Sequence, residues 1–237
     1  MAVQIFAVGG GGFTHPEDAI PGDSVLEDEL LALVGPVESV RIGYIGHAND
    51  DNTERLRGFY DRFQKCAATD HLPLNADAAS ADKFLSRIDI LYVSGGATVK
   101  LLAHWHKTGI VSSLLKAAHH GVIMSGVSAG AICWFEDLLL GTAQDGYNLH
   151  SGLGLLPGSA CPHYHNEPER KEAYDSHVSN RQLAAGLAID DGVGVYIIDG
   201  VVKNIIRARG NTGNAYIVEC NYDSVAVSEL QTGHKLI

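Results

Sequence analysis

The stretch from Gly121 to Phe135, GVIMSGVSAGAICWF, constrains this chain more than any other. Val122, Ile123 and Met124 have the apolar run of a buried strand, while Ala129, Ala131, Ile132 and Trp134 suit the start of a tightly packed helix. Only Gly126-Val127-Ser128-Ala129-Gly130 separates the two. A turn that sharp needs small neighbours and forces its middle residue into a strained backbone conformation, which holds the Ser128 hydroxyl out for attack. The helix beginning there aims unpaired backbone N–H groups and its positive dipole end at any negative charge developing beside that hydroxyl. One segment is thus expected to supply a nucleophile and half an oxyanion hole. A serine that merely caps the helix would leave the same pentapeptide, so the rest of the chain must decide.

Upstream, apolar runs and helical spacings alternate. Val3 to Val8 reads as a strand opening onto Gly9, Gly10, Gly11 and Gly12. Phe13, Thr14, His15 and Pro16 keep these glycines from leading directly into a helix, so the spacing of a nucleotide-binding loop is not met. A loop packed beside the active edge of a sheet is expected instead. Helical spacing in Leu26, Leu30, Leu31 and Val34 is followed by a strand over Val40 to Ile45, helices over Thr53 to Ala68 and Ala81 to Ser86, and a strand over Ile88 to Val93. That strand ends in Ser94-Gly95-Gly96, and a helix begins near Thr98. The alternation predicts an α/β fold, a mostly parallel sheet sandwiched by helices. In such sheets sites form at the carboxyl ends of the strands, where the Gly9 loop, the Ser94–Gly96 turn and Ser128 would gather.

Beyond Phe135 the pattern loosens. Glu136 to Gly158 reads as a surface excursion, and Gly158 to Arg170 as a dense polar stretch led by Cys161-Pro162, which resists helix. A helix over Glu169 to Leu183 and a strand over Gly186 to Asp190 follow. Asp191-Gly192 and Asp199-Gly200 are hairpin-type turns, so Val193 to Ile198 and Val201 to Ala208 are expected to pair antiparallel, with Ala215 to Glu219 as an added edge strand. No linker interrupts the chain, and residues 1–237 read as a single domain.

Composition narrows the function classes. Hydrophobic residues at 46% and charged ones at 19% fit a globular enzyme with a sizeable core. A formal charge of −11 disfavours nucleic acid and anionic membrane as partners. No apolar run reaches membrane-spanning length and the first residues lack a signal-peptide pattern, so a cytoplasmic protein, monomer or homodimer, is expected. Cys66, Cys133, Cys161 and Cys220 are isolated from one another, without the paired spacings of zinc or redox motifs, and neither metal nor cofactor is expected.

A serine hydroxyl needs a base, and histidine has the pKa for that duty. Of twelve histidines, His15, His47, His71, His104, His106, His119, His120, His150, His177 and His234 sit in helices or ordinary loops. His163 and His165 occupy the polar stretch, and His163 is favoured because Pro162 fixes the backbone before it and apolar Tyr164 follows. The carboxylate that orients the base is expected to be Asp191, at the end of a strand, with Asp145, Asp190 and Glu167 as alternatives. The bare backbone of Gly95 and Gly96, with the N–H of Ala129, would complete the oxyanion hole. The order Ser, His, Asp differs from the Ser, Asp, His order of α/β-hydrolases.

With these residues in hand the chain resembles the serine peptidase family of dipeptidase E (aspartyl dipeptidase) and cyanophycinase, built on the flavodoxin-like sheet shared with class I glutamine amidotransferases. The likeness rests on Ser94-Gly95-Gly96 after a strand, Gly-Val-Ser-Ala-Gly-Ala at the elbow, Cys-Pro-His-Tyr with Glu-Arg downstream, and Asp191-Gly192 before a hairpin. It implies Ser128 as nucleophile, His163 as general base, Asp191 where the family often has glutamate, and Gly96 and Ala129 as oxyanion donors. It also implies a small peptide substrate. Relatives that remove an N-terminal aspartate need a cation for its side chain, and Arg170 is the candidate, with Gly95 beside the bound peptide. The alternatives are a non-catalytic member of the fold, or an amidohydrolase acting on another small amide.

Overall fold

The computed structural model describes residues 1–14, 23–36, 39–222 and 224–236. The first half alternates much as the apolar spacing requires: β1 (Gln4–Val8), α1 (Val25–Ala32), β2 (Arg41–Ile45), α2 (Thr53–Phe63), β3 (Ala68–His71), α3 (Ala78–Leu85), β4 (Ile90–Val93), α4 (Thr98–Thr108), α5 (Ile110–His119), β5 (Ile123–Val127) and α6 (Ala129–Ile132). The helix expected to reach Ala68 stops at Phe63, and the chain turns into β3. As an outer strand β3 is fully buried at none of its positions, so it has no apolar run to betray it.

The second half runs β6 (Phe135–Thr142), β7 (Gly146–Ser151), β8 (Leu156–Pro162), α7 (Pro168–Ser179), β9 (Gly186–Ile189), β10 (Val193–Ile198), β11 (Val201–Arg207), β12 (Ala215–Asn221) and β13 (Ser224–Glu229). Two sheets result. The first has the order β11-β10-β1-β5-β4-β2-β3, with β1, β5, β4, β2 and β3 parallel and the β10–β11 hairpin added antiparallel to β1. The second has the order β13-β12-β9-β8-β6-β7, parallel only from β9 through β8 to β6.

Two expectations are corrected by this second sheet. The supposed excursion from Glu136 to Gly158 is the β6–β7 hairpin and the start of β8, and Leu138, Leu139 and Leu140 are buried in it. The strand beginning at Ala215 lies between β13 and β9, away from the edge, because Ser224–Glu229 pairs outside it. β7 and β13 are largely exposed, and their alternations are only two residues long (Tyr147 and Leu149, Val225 and Val227), too short to mark a buried face.

One apolar cluster joins the sheets. Ile5, Ala7 and Met124 of the first meet Leu138, Ala160, Leu187 and Ile189 of the second, around Ala131, Ile132 and Trp134 from the elbow. α6 packs against β1, β5 and β8, and Trp105 of α4 stacks on Trp134 with ring centroids 5.9 Å apart. The other face of the first sheet buries Phe6, Tyr44 and Tyr92 against Phe59 and Phe63 of α2. The short elbow helix is therefore wedged between the two layers and cannot tilt without disturbing both.

Candidate active site

Ser128 follows β5 directly, at φ 52° and ψ −112°, a conformation that costs an L-residue strain and persists because its surroundings over-determine it. Its N–H donates to the Val8 carbonyl, and its own carbonyl accepts from Ala131 and Ile132. The tightness of the elbow is visible at Gly130, where a Cβ would lie 2.1 Å from the Val93 carbonyl oxygen. Only glycine lets α6 start this close to β4.

His163 follows β8, also at positive φ (55°), and its Nε2 is 2.9 Å from Ser128 Oγ. Its Nδ1 lies 2.5 Å from Asp191 Oδ1. An ionised Asp191 accepts only, so Nδ1 carries the proton and Nε2 is left to accept from the serine hydroxyl. The imidazole is mostly buried, at 17% side-chain exposure against 32% for the carboxylate. Loop Gly9–Gly12 packs beneath the pair: Gly10 bridges to Asp191, and a Cβ at Gly10 would sit 2.0 Å from Asp191 Oδ1 and 2.5 Å from His163 Nδ1.

Parallel pairing of β8 and β9 brings the two loops together, and hydrogen bonds then lock them. Tyr164 N–H donates to Ile189 O, His165 N–H to Asp190 Oδ1, and Asp191 N–H to Asn166 Oδ1. Asp190, 4% exposed, also bonds His165 Nδ1 and accepts from Asn214 N–H and the Tyr216 hydroxyl. The other carboxylates held in reserve are engaged elsewhere: Glu167 accepts from Arg170 Nε at 2.6 Å, and Asp145 accepts from the Thr142 hydroxyl. Asp191 is the one that meets His163. His15 lies outside the described residues.

Gly96 and Ala129 present N–H groups that have no acceptor among the described residues. Gly95 packs beside the serine, a Cβ there falling 3.4 Å from Ser128 Cβ. Arg170 is nearly buried. Its guanidinium bonds Glu167 and the Gly141 carbonyl and lies over the Tyr147 ring, tying α7 to the β6–β7 hairpin. Two polar residues that sequence reasoning passed over reach the site from outside it: Asn49 and Arg55 both donate to the Gly95 carbonyl. No local spacing marked them, since they lie more than forty residues earlier than the turn they hold or close to that distance.

Cys133, just past the elbow helix, is fully buried, and burial pushes its thiol well above the ordinary range, which suits a core residue and not a nucleophile. Among the described residues no cluster of three or more His, Cys, Asp or Glu side chains is arranged to hold a metal ion. None of their helices is long and apolar enough to cross a membrane.

Comparison with known proteins identifies the family and the fold. A protein of Bacillus subtilis strain 168, the uncharacterized peptidase YgaJ, is 35% identical over 208 residues, covering 87% of this chain and 88% of that one. Two crystal structures share the fold. A peptidase from an acI-B1 Actinobacterium has a TM-score of 0.70 at 12% identity, covering 100% of this chain and 97% of its own. A Listeria monocytogenes EGD-e protein provisionally named peptidase E has a TM-score of 0.63 at 19% identity, covering 87% and 99%. The model of peptidase family S51 matches residues 5–205, and the chain belongs to that family.

Proposed function

We propose that this peptidase hydrolyses small peptides by acyl transfer to Ser128. The observation that carries the reading is the unbroken relay from Ser128 Oγ through His163 Nε2 and Nδ1 to Asp191 Oδ1, at 2.9 and 2.5 Å. In the first half-reaction Oγ bonds to the scissile carbonyl carbon as its proton passes to His163 Nε2. The carbonyl oxygen becomes an oxyanion facing the N–H groups of Gly96 and Ala129, each such donor being worth about 10²–10³ in rate. Collapse breaks the C–N bond, and His163 returns the proton to the leaving amine. In the second half-reaction a water attacks the acyl carbon as its proton passes to His163, and His163 then returns that proton to Ser128 Oγ as the ester C–O bond breaks, freeing the acid product and the serine. Asp191 holds the imidazole in the required tautomer and offsets its positive charge without itself taking the proton.

Specificity is the finer part of the proposal. Removal of an N-terminal aspartate would require Arg170 to exchange Glu167 for the substrate carboxylate, which its planar fork could hold by two parallel bonds. The apolar cluster shared by both sheets supports treating the chain as one folding unit, and four free cysteines suit a reducing, cytoplasmic setting.

The test is labelling by a fluorophosphonate, followed by mass spectrometry of the modified peptide, beside turnover of a panel of dipeptides. The expected adduct is on Ser128, lost in Ser128→Ala. Selective loss of Asp-X turnover in Arg170→Ala would support the carboxylate clamp. Labelling of Ser128→Ala at the parent rate would remove the nucleophile and the reading with it.

A further inference from the structure

Three side chains converge on the Gly95 carbonyl, in the loop beside Ser128. Arg55 Nη1 donates to it at 2.8 Å, Asn49 Nδ2 at 3.0 Å and the buried Ser94 hydroxyl at 3.3 Å. The donors are themselves fixed. Asn49 also donates to Ser94 Oγ at 2.7 Å, and its own Oδ1 accepts from Asn52 N–H. Asn52 is the N-cap of α2 and accepts from the N–H groups of Glu54 and Arg55. The turn that carries Asn49 is pinned by buried His47, which bonds Leu72 O and Trp105 Nε1. Arg55 is half-buried, in keeping with a role inside the fold.

A carbonyl and the N–H of the next residue belong to one rigid peptide unit, and in the trans form they point in opposite directions. Fixing the Gly95 carbonyl therefore fixes the N–H of Gly96. Two further effects act along the same line. Donors on the carbonyl polarise the unit and make its N–H a stronger donor, and a guanidinium does so more than a neutral group. The loop also resists turning over to offer the carbonyl to the oxyanion, since that would take an acceptor from half-buried Asn49 and Arg55.

We propose that Arg55 and Asn49 are positioning residues that orient and polarise the Gly95–Gly96 peptide as an oxyanion donor for Ser128. They touch neither substrate nor the reacting atoms. The inference rests on the serine acyl-transfer reading above and adds the part of the machinery that lies behind the oxyanion hole.

The experiment measures the second-order rate of Ser128 phosphonylation by a fluorophosphonate, whose phosphoryl oxygen occupies the oxyanion position. It also measures kcat and KM for 4-nitrophenyl acetate, as functions of pH, for the parent, Arg55→Met, Arg55→Lys and Asn49→Ala. Arg55→Met is expected to lose roughly tenfold to a hundredfold in phosphonylation and in kcat, a fraction of what deleting an oxyanion donor costs. KM should change less than about threefold, and the midpoint of the pH–rate profile should stay in place, a pattern expected for transition-state stabilisation. Arg55→Lys should recover part of the loss, and it keeps the test open if Arg55→Met does not fold. A variant that is merely loosened would lower the melting temperature or shift the pH midpoint without separating kcat from KM. Parent rates in folded Arg55→Met and Asn49→Ala, or a loss confined to KM, would overturn the proposal. Full labelling of Ser128→Ala in the same assay would instead bring down the acyl-transfer reading on which it stands.

Discussion

Gly10→Ala should silence the site without dismantling the fold. The added Cβ would lie 2.0 Å from Asp191 Oδ1 and 2.5 Å from His163 Cε1, about 1 Å and about 0.5 Å inside the 3.0 Å below which Cβ atoms are essentially not found. Neither neighbour can give way freely, because Asp191 is pinned through its N–H to Asn166 and through its carbonyl to Asn211, and His163 through the loop behind it. The clash must be relieved by moving the carboxylate or the imidazole by roughly an ångström, a displacement that costs about a hundredfold in rate at a reacting centre. That corresponds to about 2.7 kcal/mol. Fluorophosphonate labelling of Ser128 reads the loss directly, and thermal unfolding shows whether the fold survives. Gly11→Ala is the control. It carries the backbone penalty of φ +81°, about 1–2 kcal/mol, but its Cβ would meet nothing nearer than Gly192 N at 3.6 Å. The expected pair of results is a reactive but less stable Gly11→Ala and an unreactive, folded Gly10→Ala. A folded Gly10→Ala that labels at the parent rate would refute the argument that the His163–Asp191 contact must be held as found.

Other perturbations bear on the same framework. In Asp190→Asn one carboxylate oxygen becomes a donor aimed at groups that already donate, so the lock between the His163 and Asp191 loops should loosen, with labelling reduced roughly tenfold and a lower melting temperature. An unchanged labelling rate would show that the lock is dispensable. Buried His47 is held neutral by desolvation, its pKa lowered, so below about pH 6.5 the unfolded chain takes up a proton that the native state refuses, and stability falls with pH at up to about 1.4 kcal/mol per unit. Urea midpoints taken near pH 7.5 and 5.5 should therefore differ less in His47→Gln than in the parent; equal differences would remove His47 as the source.

Local sequence carried the elbow, the order of the first strands and helices, and the three residues of the relay, because each is announced by neighbours: small residues around Ser128, a fixed backbone before His163, a turn glycine after Asp191. What it could not carry depends on pairing between distant segments. β7 offers only a two-residue alternation, Tyr147 and Leu149, with neither residue fully buried, and it forms because β6 offers a partner. Leu138–Leu140 could be seen as apolar, yet nothing near them says that a second sheet awaits. Arg55 reads as a solvated position on α2, and only the approach of the β4–α4 turn gives it a carbonyl to hold. Arg170 shows the converse. The family resemblance offered it as a cation for a substrate carboxylate, whereas Glu167, one helical turn before it, supplies an ion pair.

The relay is shared between layers: Ser128 is delivered by β5 of the first sheet, His163 by β8 of the second, and Asp191 by the crossing from β9 to β10. On the acyl-transfer reading proposed above, reactivity is therefore a gauge of how well the two slabs are docked. Gentle heating or dilute urea that lets them slip by an ångström should extinguish labelling while far-ultraviolet ellipticity still reports intact strands and helices.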